Sequence, residues 1–190
     1  MATYEARRNL LESASVFEVT GDALTRSLGG VERQRVNLAD VRRVRITYQA
    51  VGVVPMWLCW VQGAHGSLSV SSASYTGFGR ASDQRAAFGP FLQALTRAIA
   101  AQPHAQPVTF VRGGGWQRPF YMGSLILLGL MSVLLGLGAM GSLMEGKSVF
   151  WVGLPTIVVL LAMRMSWQMW RGNPPGVFDP NALPSDLAGG

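Results

Sequence analysis

Residues 120–144 read FYMGSLILLGLMSVLLGLGAMGSLM and contain no charged side chain. An α-helix rises about 1.5 Å per residue, so roughly 20 apolar residues cross a hydrocarbon core of about 30 Å. A second apolar run, SVFWVGLPTIVVLLAMRMSWQMW, covers residues 148–170 and carries a single charge, Arg164. Because a long Arg side chain can extend to the lipid headgroups, we predict two transmembrane helices that form a hairpin.

Basic and aromatic residues flank both predicted spans, where such side chains anchor helices at the membrane interface. The predicted anchors are Arg112, Trp116, Arg118, Trp151, Arg164, Trp167, Trp170 and Arg171. The four arginines of this set lie on the side of the two termini, whereas Lys147 alone lies in the turn between the spans. The positive-inside rule therefore predicts that both termini are cytoplasmic. The use of Arg for all other basic residues is typical of a GC-rich bacterial genome, which points to a bacterial inner membrane.

Small residues recur along the first span at a spacing that lets helix backbones approach closely. Ser132 and Gly136 form one such pair, and Gly138 and Ser142 form a second. The simplest partner for this face is the second span. Other copies of the chain, or helices of a larger membrane complex, are the alternatives.

The charge of the chain is unevenly distributed. The formal net charge is +6, and residues 1–119 hold thirteen arginines against seven carboxylates, which accounts for all of it. A basic domain that is held at a bilayer is attracted to anionic lipid. Nucleic acid is the other class of partner that such a charge favours, but a membrane anchor argues against it. Cys59 is the only cysteine, so the chain has no internal disulfide.

Short antiparallel strands are predicted before the spans, because apolar and polar residues alternate between turn signals. The predicted strands are residues 16–20, 23–28, 32–38, 41–49, 56–62 and 67–71. In the fourth of these, Val44 and Ile46 point to one face while Arg43 and Arg45 point to the other. The fifth is apolar on both faces, with Trp57 and Trp60 on opposite sides, so it is expected to be central or covered.

A helix is predicted after these strands, from Pro90 to about residue 101, with residues 83–88 left open because Pro suits a first helical turn and breaks an interior. Its apolar stripe consists of Phe88, Phe91, Leu92, Leu95 and Ile99. About six strands followed by one amphipathic helix predict an α+β domain of the roll type.

Three stretches resemble bacterial pleckstrin-homology-like (PH-like) domains: residues 17–24 (FEVTGDAL), residues 36–46 (VNLADVRRVRI) and the closing helix. The resemblance covers about residues 14–101. It implies a strongly bent antiparallel roll that a C-terminal helix closes at one end. The layout of domain, hairpin and Pro-rich tail also resembles uncharacterised membrane proteins of alphaproteobacteria, a resemblance that implies no activity.

The remaining segments complete the predicted organisation. Residues 1–15 form a lead-in with one or two helical turns on which Leu10 and Leu11 pack inward, residues 16–101 form the domain, and residues 72–82 form a loop within it. Residues 102–119 form a linker in which residues 108–111 make a brief extra strand. The spans are residues 120–144 and 148–170, and residues 171–190 form an extended tail. This tail is either disordered or docked through Phe178 and Leu183.

No catalytic or metal-binding pattern is present, so we predict neither an enzyme nor a cofactor. His65 and His104 lack neighbouring ligands at metal spacing, and Cys59 lies on an apolar strand where it is expected in the core. The only concentrated charge consists of Arg33, Arg35, Arg42, Arg43 and Arg45. This cluster is either a solvated strand face or a surface for anionic lipid or an acidic partner.

Three functions are compatible with this organisation. The first is a non-enzymatic interaction module, an accessory subunit or scaffold of a larger inner-membrane complex. The second is a sensor of anionic lipid or of a ligand that uses the arginine cluster. The third is a component of a small transporter or membrane enzyme, which requires oligomers because two spans without inward polar residues make a poor pathway. The expected partners are membrane lipids and another membrane protein or further copies of the chain, and not nucleic acid.

Overall fold

A computed structural model describes residues 1–7, 11–51, 54–77, 80–113, 117–145, 150–184 and 187, with the backbone alone for residues 50–51, 54–55, 117 and 150–152. The chain divides into two compact units. The β-rich unit contains Met1–Gly113 together with Pro175–Gly190, and the helical unit contains Gly114–Pro174. The fold is of the mixed α+β class with mainly antiparallel sheets, as the sequence predicts.

The elements follow one another in the order strands, helix, strand, two helices and a final short strand. In the described residues they are β1 (Ala2–Ala6), β2 (Ser15–Val19), β3 (Ala23–Leu28), β4 (Val31–Asn37), β5 (Val41–Val51), β6 (Val54–Gly63), β7 (Ser67–Ser71), β8 (Ala73–Gly77), β9 (Arg80–Asp83), α1 (Arg85–Ala100), β10 (Thr109–Arg112), α2 (Gln117–Met144), α3 (Phe150–Gly172) and β11 (Gly176–Val177).

The first sheet is an antiparallel meander in the order β1-β2-β3-β4. The prediction of helical turns in the lead-in is wrong, because residues 2–6 form β1 and pair with β2. Tyr4 and Ala6 alternate inward there, and the Tyr4 hydroxyl donates to the Ser71 carbonyl at 2.7 Å. Leu11 is 98% exposed rather than packed inward, and Leu10 lies outside the described residues.

The second sheet has the order β11-β10-β5-β6-β7. β6 lies between β5 and β7, so its predicted central position is confirmed, but its outer face is not covered, because Trp60 is 41% exposed. The brief strand predicted in the linker is confirmed as β10, and it runs parallel to β5, with Phe110 opposite Val44. The chain must therefore run back along the length of the sheet between β5 and β10, and α1 lies on that return path.

The prediction of a loop at residues 72–82 is wrong, because β8 and β9 pair as an antiparallel ribbon there. β8 also joins the end of β1. The Tyr75 amide donates to the Arg7 carbonyl at 2.9 Å, and the Arg7 amide donates to the Ser74 hydroxyl at 2.9 Å. Tertiary pairing thus orders a Ser- and Gly-rich segment that has no apolar alternation of its own.

Helix α1 buries the predicted stripe of Phe88, Phe91, Leu92, Leu95 and Ile99 in a core that also contains buried residues of both larger sheets. The helix begins at Arg85 and continues to Ala100, so Pro90 lies inside the helix and does not end it. Proline removes only the hydrogen bond to the carbonyl of Ala86, and Ala86 is exposed, so water can solvate that carbonyl.

The tail returns to the β-rich unit, which favours docking over disorder. β11 pairs with β10, and Phe178 is buried with its ring centroid 5.6 Å from that of Phe110 in an edge-on arrangement. The Thr96 hydroxyl of α1 donates to the Pro180 carbonyl at 2.8 Å. Leu183 packs against the core as predicted, and Leu187 is fully buried, which the sequence does not indicate.

The helical unit consists of α2 and α3, which lie side by side in opposite directions. The Arg118 guanidinium lies 5.2 Å from the Trp170 ring centroid, and the Ser132 hydroxyl lies 3.4 Å from the Met163 sulfur. By length and composition, one helix in the described part of the chain can cross a membrane, namely the 27 residues Arg118–Met144. The apolar side chains of this segment are not buried by the rest of the protein.

The small residues of α2 do not pack as closely as their spacing predicts. Ser132 faces α3, but a Cβ atom at Gly136 or Gly138 would meet no other atom within 4 Å. The two helices contact each other through side chains, so these glycines bring no backbones together. Ser142 is half-buried, between the exposed Gly141 and Leu143. The glycine positions therefore remain open on the surface of α2.

Cys59 belongs to the core, as predicted, and provides a reporter of unfolding. Its side chain is completely buried on β6, and this burial raises the pKa of the Cys59 thiol to about 12. Because the thiolate is the reactive form, we expect Cys59 to resist maleimide at pH 8 in the folded protein and to react once the β-rich unit opens. Labelling followed by mass spectrometry measures this. A Ser67→Cys variant, with the new thiol on an exposed position of β7, is the control and should react at once. Reaction of Cys59 at the same rate as that control would contradict the assignment.

Candidate interaction surface

The five clustered arginines fall into two sets in the structure. Arg33 and Arg35 lie on β4 in the first sheet, and Arg42, Arg43 and Arg45 lie on β5 in the second. Arg35 is neutralised by Asp22, with 3.1 Å between their side chains. These residues therefore do not form one patch in the way that their closeness in sequence suggests.

Arg42 occupies an irregularity of the second sheet. The register of β5 and β6 shifts between Val41 and Arg43, so Arg42 has no partner residue across the ladder. It is exposed and lines a shallow cavity that Asp40 also lines. Arg42 thus separates from Arg43 and Arg45.

Arg43 and Arg45 project from the outer face of the second sheet, opposite to the buried Val44 and Ile46, as the alternation predicts. The strand register places other side chains beside them in two rows. One row runs Thr109, Arg43, Gln62, and the next runs Val177, Val111, Arg45, Trp60. We call these seven residues the outer patch.

The outer patch is positively charged without a compensating acid. The five strands of the second sheet contain no Asp or Glu. Within the described residues neither Arg43 nor Arg45 forms an ion pair, in contrast to Arg35. Arg45 also has a buried Nε–H for which the described part of the chain provides no acceptor. The two guanidinium groups therefore leave this face of the sheet with a net positive charge.

Two apolar side chains of the outer patch are exposed. Trp60 is 41% exposed, although its neighbour Trp57 on the other face of β6 is buried. Val177 is 80% exposed on β11, next to the buried Phe178. Thr47, the next position on this face of β5, is buried, so the exposed part of the face ends there. Its hydroxyl has no hydrogen-bond partner among the described residues. The patch is therefore amphipathic, with two arginine side chains beside the exposed indole of Trp60 and the exposed side chain of Val177.

The predicted membrane anchors have varied surroundings. Arg112 lies in β10, and its guanidinium sits 5.1 Å from the centroid of the Trp57 ring, so this side chain is held within the β-rich unit. The rings of Trp167 and Trp170 stack with their centroids 5.1 Å apart, and the Arg118 guanidinium lies over the Trp170 ring. Arg164 and Arg171 are exposed on α3. Trp116 lies outside the described residues, as does the side chain of Trp151.

The titratable side chains of His104, Tyr4 and Asp83 lie outside the outer patch and form hydrogen bonds with other parts of the chain. The ring nitrogens of His104 lie 3.1 Å from the Ala39 carbonyl oxygen and 2.6 Å from that of Ile99, which ties the end of α1 to the turn before β5. Burial raises the pKa of Tyr4, and the hydrogen bond from Arg85 lowers the pKa of Asp83. Within the described residues no three His, Cys, Asp or Glu side chains are grouped to hold a metal ion.

Sequence reasoning found Arg43 and Arg45 but missed most of the outer patch. The opposite orientations of Trp57 and Trp60 were a usable signal, because they place Trp60 on the same face as Arg45. No local signal connects Val177 with this face, since its position depends on the return of the tail.

Comparison of the chain with models of protein families, with curated proteins and with solved structures finds no match. The function is therefore inferred from the two units and the outer patch. The physical features available are a folded β-rich unit, an uncovered apolar helix and a cationic sheet face.

Proposed function

We propose that this protein is a non-enzymatic, membrane-anchored interaction module, an accessory subunit or scaffold of a larger complex in the bacterial inner membrane. The observation that carries the proposal is α2, whose apolar side chains are exposed along the whole segment Arg118–Met144. A soluble protein rarely exposes so large an apolar surface, whereas lipid solvates it at no cost.

The tail supports two crossings of the membrane. Arg112 is the register partner of Gly176, so the chain leaves the β-rich unit and returns to it at adjacent strands. A single crossing would place β10 and β11 on opposite sides of the bilayer. This favours an even number of crossings, with α3, a helix of 23 residues, as the proposed second span. Its less apolar end carries Arg164 and Arg171, which can reach the headgroups.

The architecture of the β-rich unit supports a PH-like roll. Mainly antiparallel sheets and the apolar stripe of α1 contribute to one core. The cationic outer face of its second sheet supports a binding role. The excess of Arg on the side of the termini supports a cytoplasmic position for this unit.

The open glycines of α2 support a membrane partner. Gly136 and Gly138 have free space above the Cα atom, so another transmembrane helix can approach there without displacing side chains. This favours an accessory subunit of a larger complex, or further copies of the chain, over an isolated anchor.

Purification in mild detergent tests the proposed association. We expect the full chain to resist extraction by alkaline carbonate and to purify with a stoichiometric membrane partner or as an oligomer. Gly136→Leu and Gly138→Leu should weaken that association, whereas Leu137→Ile, on an exposed position between them, is the control. Release of the protein by carbonate, or a strictly monomeric protein in every mild detergent, would contradict the proposal.

Cysteine labelling in spheroplasts tests the topology. We expect an impermeant maleimide to label Glu145→Cys in the turn after α2, and to label Ala105→Cys and Asn181→Cys only after lysis. Cys59 is buried and stays silent in the background. Labelling of Asn181→Cys from outside, with Ala105→Cys protected, would indicate a single crossing and refute the two-span anchor.

A further inference from the structure

We propose that the outer patch docks on anionic phospholipid headgroups of the bilayer in which the chain is anchored. Arg43 and Arg45 bind phosphate oxygens, and Trp60 and Val177 enter the interfacial layer. This inference rests on the proposed membrane anchoring and adds a specific second contact to it.

The chemistry of the patch selects an anion. Arg43 and Arg45 are two residues apart and therefore occupy successive positions on the same face of β5. No carboxylate occurs on any strand of this sheet. Guanidinium groups donate in a planar fork that matches phosphate, and charge-assisted bonds of this kind are the stronger ones.

The apolar members of the patch select a membrane over a dissolved anion. Indole rings prefer the membrane interface, where one edge is apolar and the other is wet. Trp60 is directly beside Arg45 in the ladder, so one approach of the bilayer engages both. The exposed Val177 lies at the other end of the same row.

The connection of the patch to the spans supports the same occupant. Val111 and Val177 lie on β10 and β11. These are the strands at which the chain leaves for the helical unit and returns from it. Membrane anchoring therefore supplies a high local concentration of headgroups near this sheet, and weak individual contacts become sufficient. An acidic protein partner offers the same charge, and the test below includes protection of Trp60 by such a partner as an outcome.

Quenching of Trp60 by brominated lipid tests the proposal. The full chain is placed in nanodiscs that contain brominated phosphatidylglycerol or brominated phosphatidylcholine, and the signal of a Trp60→Phe variant is subtracted to isolate Trp60. We expect quenching with phosphatidylglycerol that falls as salt rises toward about 1 M, where the Debye length is about 3 Å. Each arginine strengthens such an association about fivefold, so R43Q/R45Q should weaken docking about 25-fold.

A matched pair of arginines provides the control. Arg33 and Arg80 are exposed on β4 and β9, and R33Q/R80Q makes the same change in net charge away from the patch. This control should retain quenching. Equal quenching in both lipids, equal loss in both double variants, or protection of Trp60 only when a protein partner is added would overturn the proposal.

The outcomes also separate this proposal from the anchor itself. A chain that fails to enter nanodiscs, or that carbonate extracts, refutes the proposed function. A chain that enters nanodiscs but shows no lipid-dependent quenching of Trp60 refutes the docking alone.

Discussion

Phe178→Ala is expected to destabilise the β-rich unit by about 3 kcal/mol, the lower part of the range for truncation of a buried aromatic side chain. Phe178 is buried against Phe110, and it holds β11 on the edge of the second sheet. Its loss leaves a cavity beside β10 and also weakens the contact between Pro180 and Thr96 of α1. Removal of residues 175–190 should have an effect at least as large.

The reactivity of Cys59 measures this loss in the full chain. If opening precedes labelling, a change of about 3 kcal/mol raises the rate of modification by roughly 100-fold. The neighbouring Val177→Ala is the matched control, because Val177 is 80% exposed and its truncation should change the rate less than about twofold. Phe178→Leu should recover part of the stability. Equal rates for Phe178→Ala and Val177→Ala would show that the tail does not support the core.

Arg26→Ala is expected to cost about 2–4 kcal/mol, because Arg26 is a buried charge with several polar partners. Its side chain is 10% exposed and donates to Glu12 at 2.9 Å and to the Ser15 hydroxyl at 3.0 Å. The Gln34 side chain lies 3.4 Å from the same guanidinium. Truncation removes the donor to the fully buried Ser15 hydroxyl and the ion pair with Glu12.

Arg35→Ala provides the comparison for Arg26. Arg35 pairs with Asp22 at 3.1 Å, but more than half of each side chain is exposed, so its loss should cost less than about 1 kcal/mol. The double variant E12Q/R26M should be more stable than Arg26→Ala alone, because it removes both charges and keeps much of the volume. Chemical denaturation in detergent, followed by Cys59 labelling, measures all three. A cost for Arg26→Ala no greater than that for Arg35→Ala would contradict the assigned burial.

The outer patch could be predicted in part from the sequence. Alternation along residues 41–49 is a local property, so it places Arg43 and Arg45 opposite Val44 and Ile46 whatever the rest of the chain does. It does not separate these arginines from Arg33 and Arg35, because that depends on which strands pair. The partner of a strand is decided by contacts between residues that are distant in the chain.

Helical signals were similarly reliable where they were long and incomplete where they were short. The stripe from Phe88 to Ile99 predicted α1, but the start at Arg85 depends on the pairing of β8 with β9 just before it. The spacings of Ser132 with Gly136 and of Gly138 with Ser142 permitted close packing of helices, yet the structure leaves both glycines open. Such a spacing allows two helices to approach closely, but it does not determine whether they do.

The sequence by itself determined the apolar helix at residues 118–144, the alternating strands β2 to β7 and the buried stripe of α1, since each depends on the local period of apolar side chains. Tertiary structure alone decided the strand β1, the ribbon β8–β9 and the burial of Arg26, because pairing partners supply the hydrogen bonds that these segments lack locally. It also decided the position of the tail. Phe178 is one apolar residue among prolines in the sequence, and only the exposed edge of β10 and the ring of Phe110 give it a place in the core.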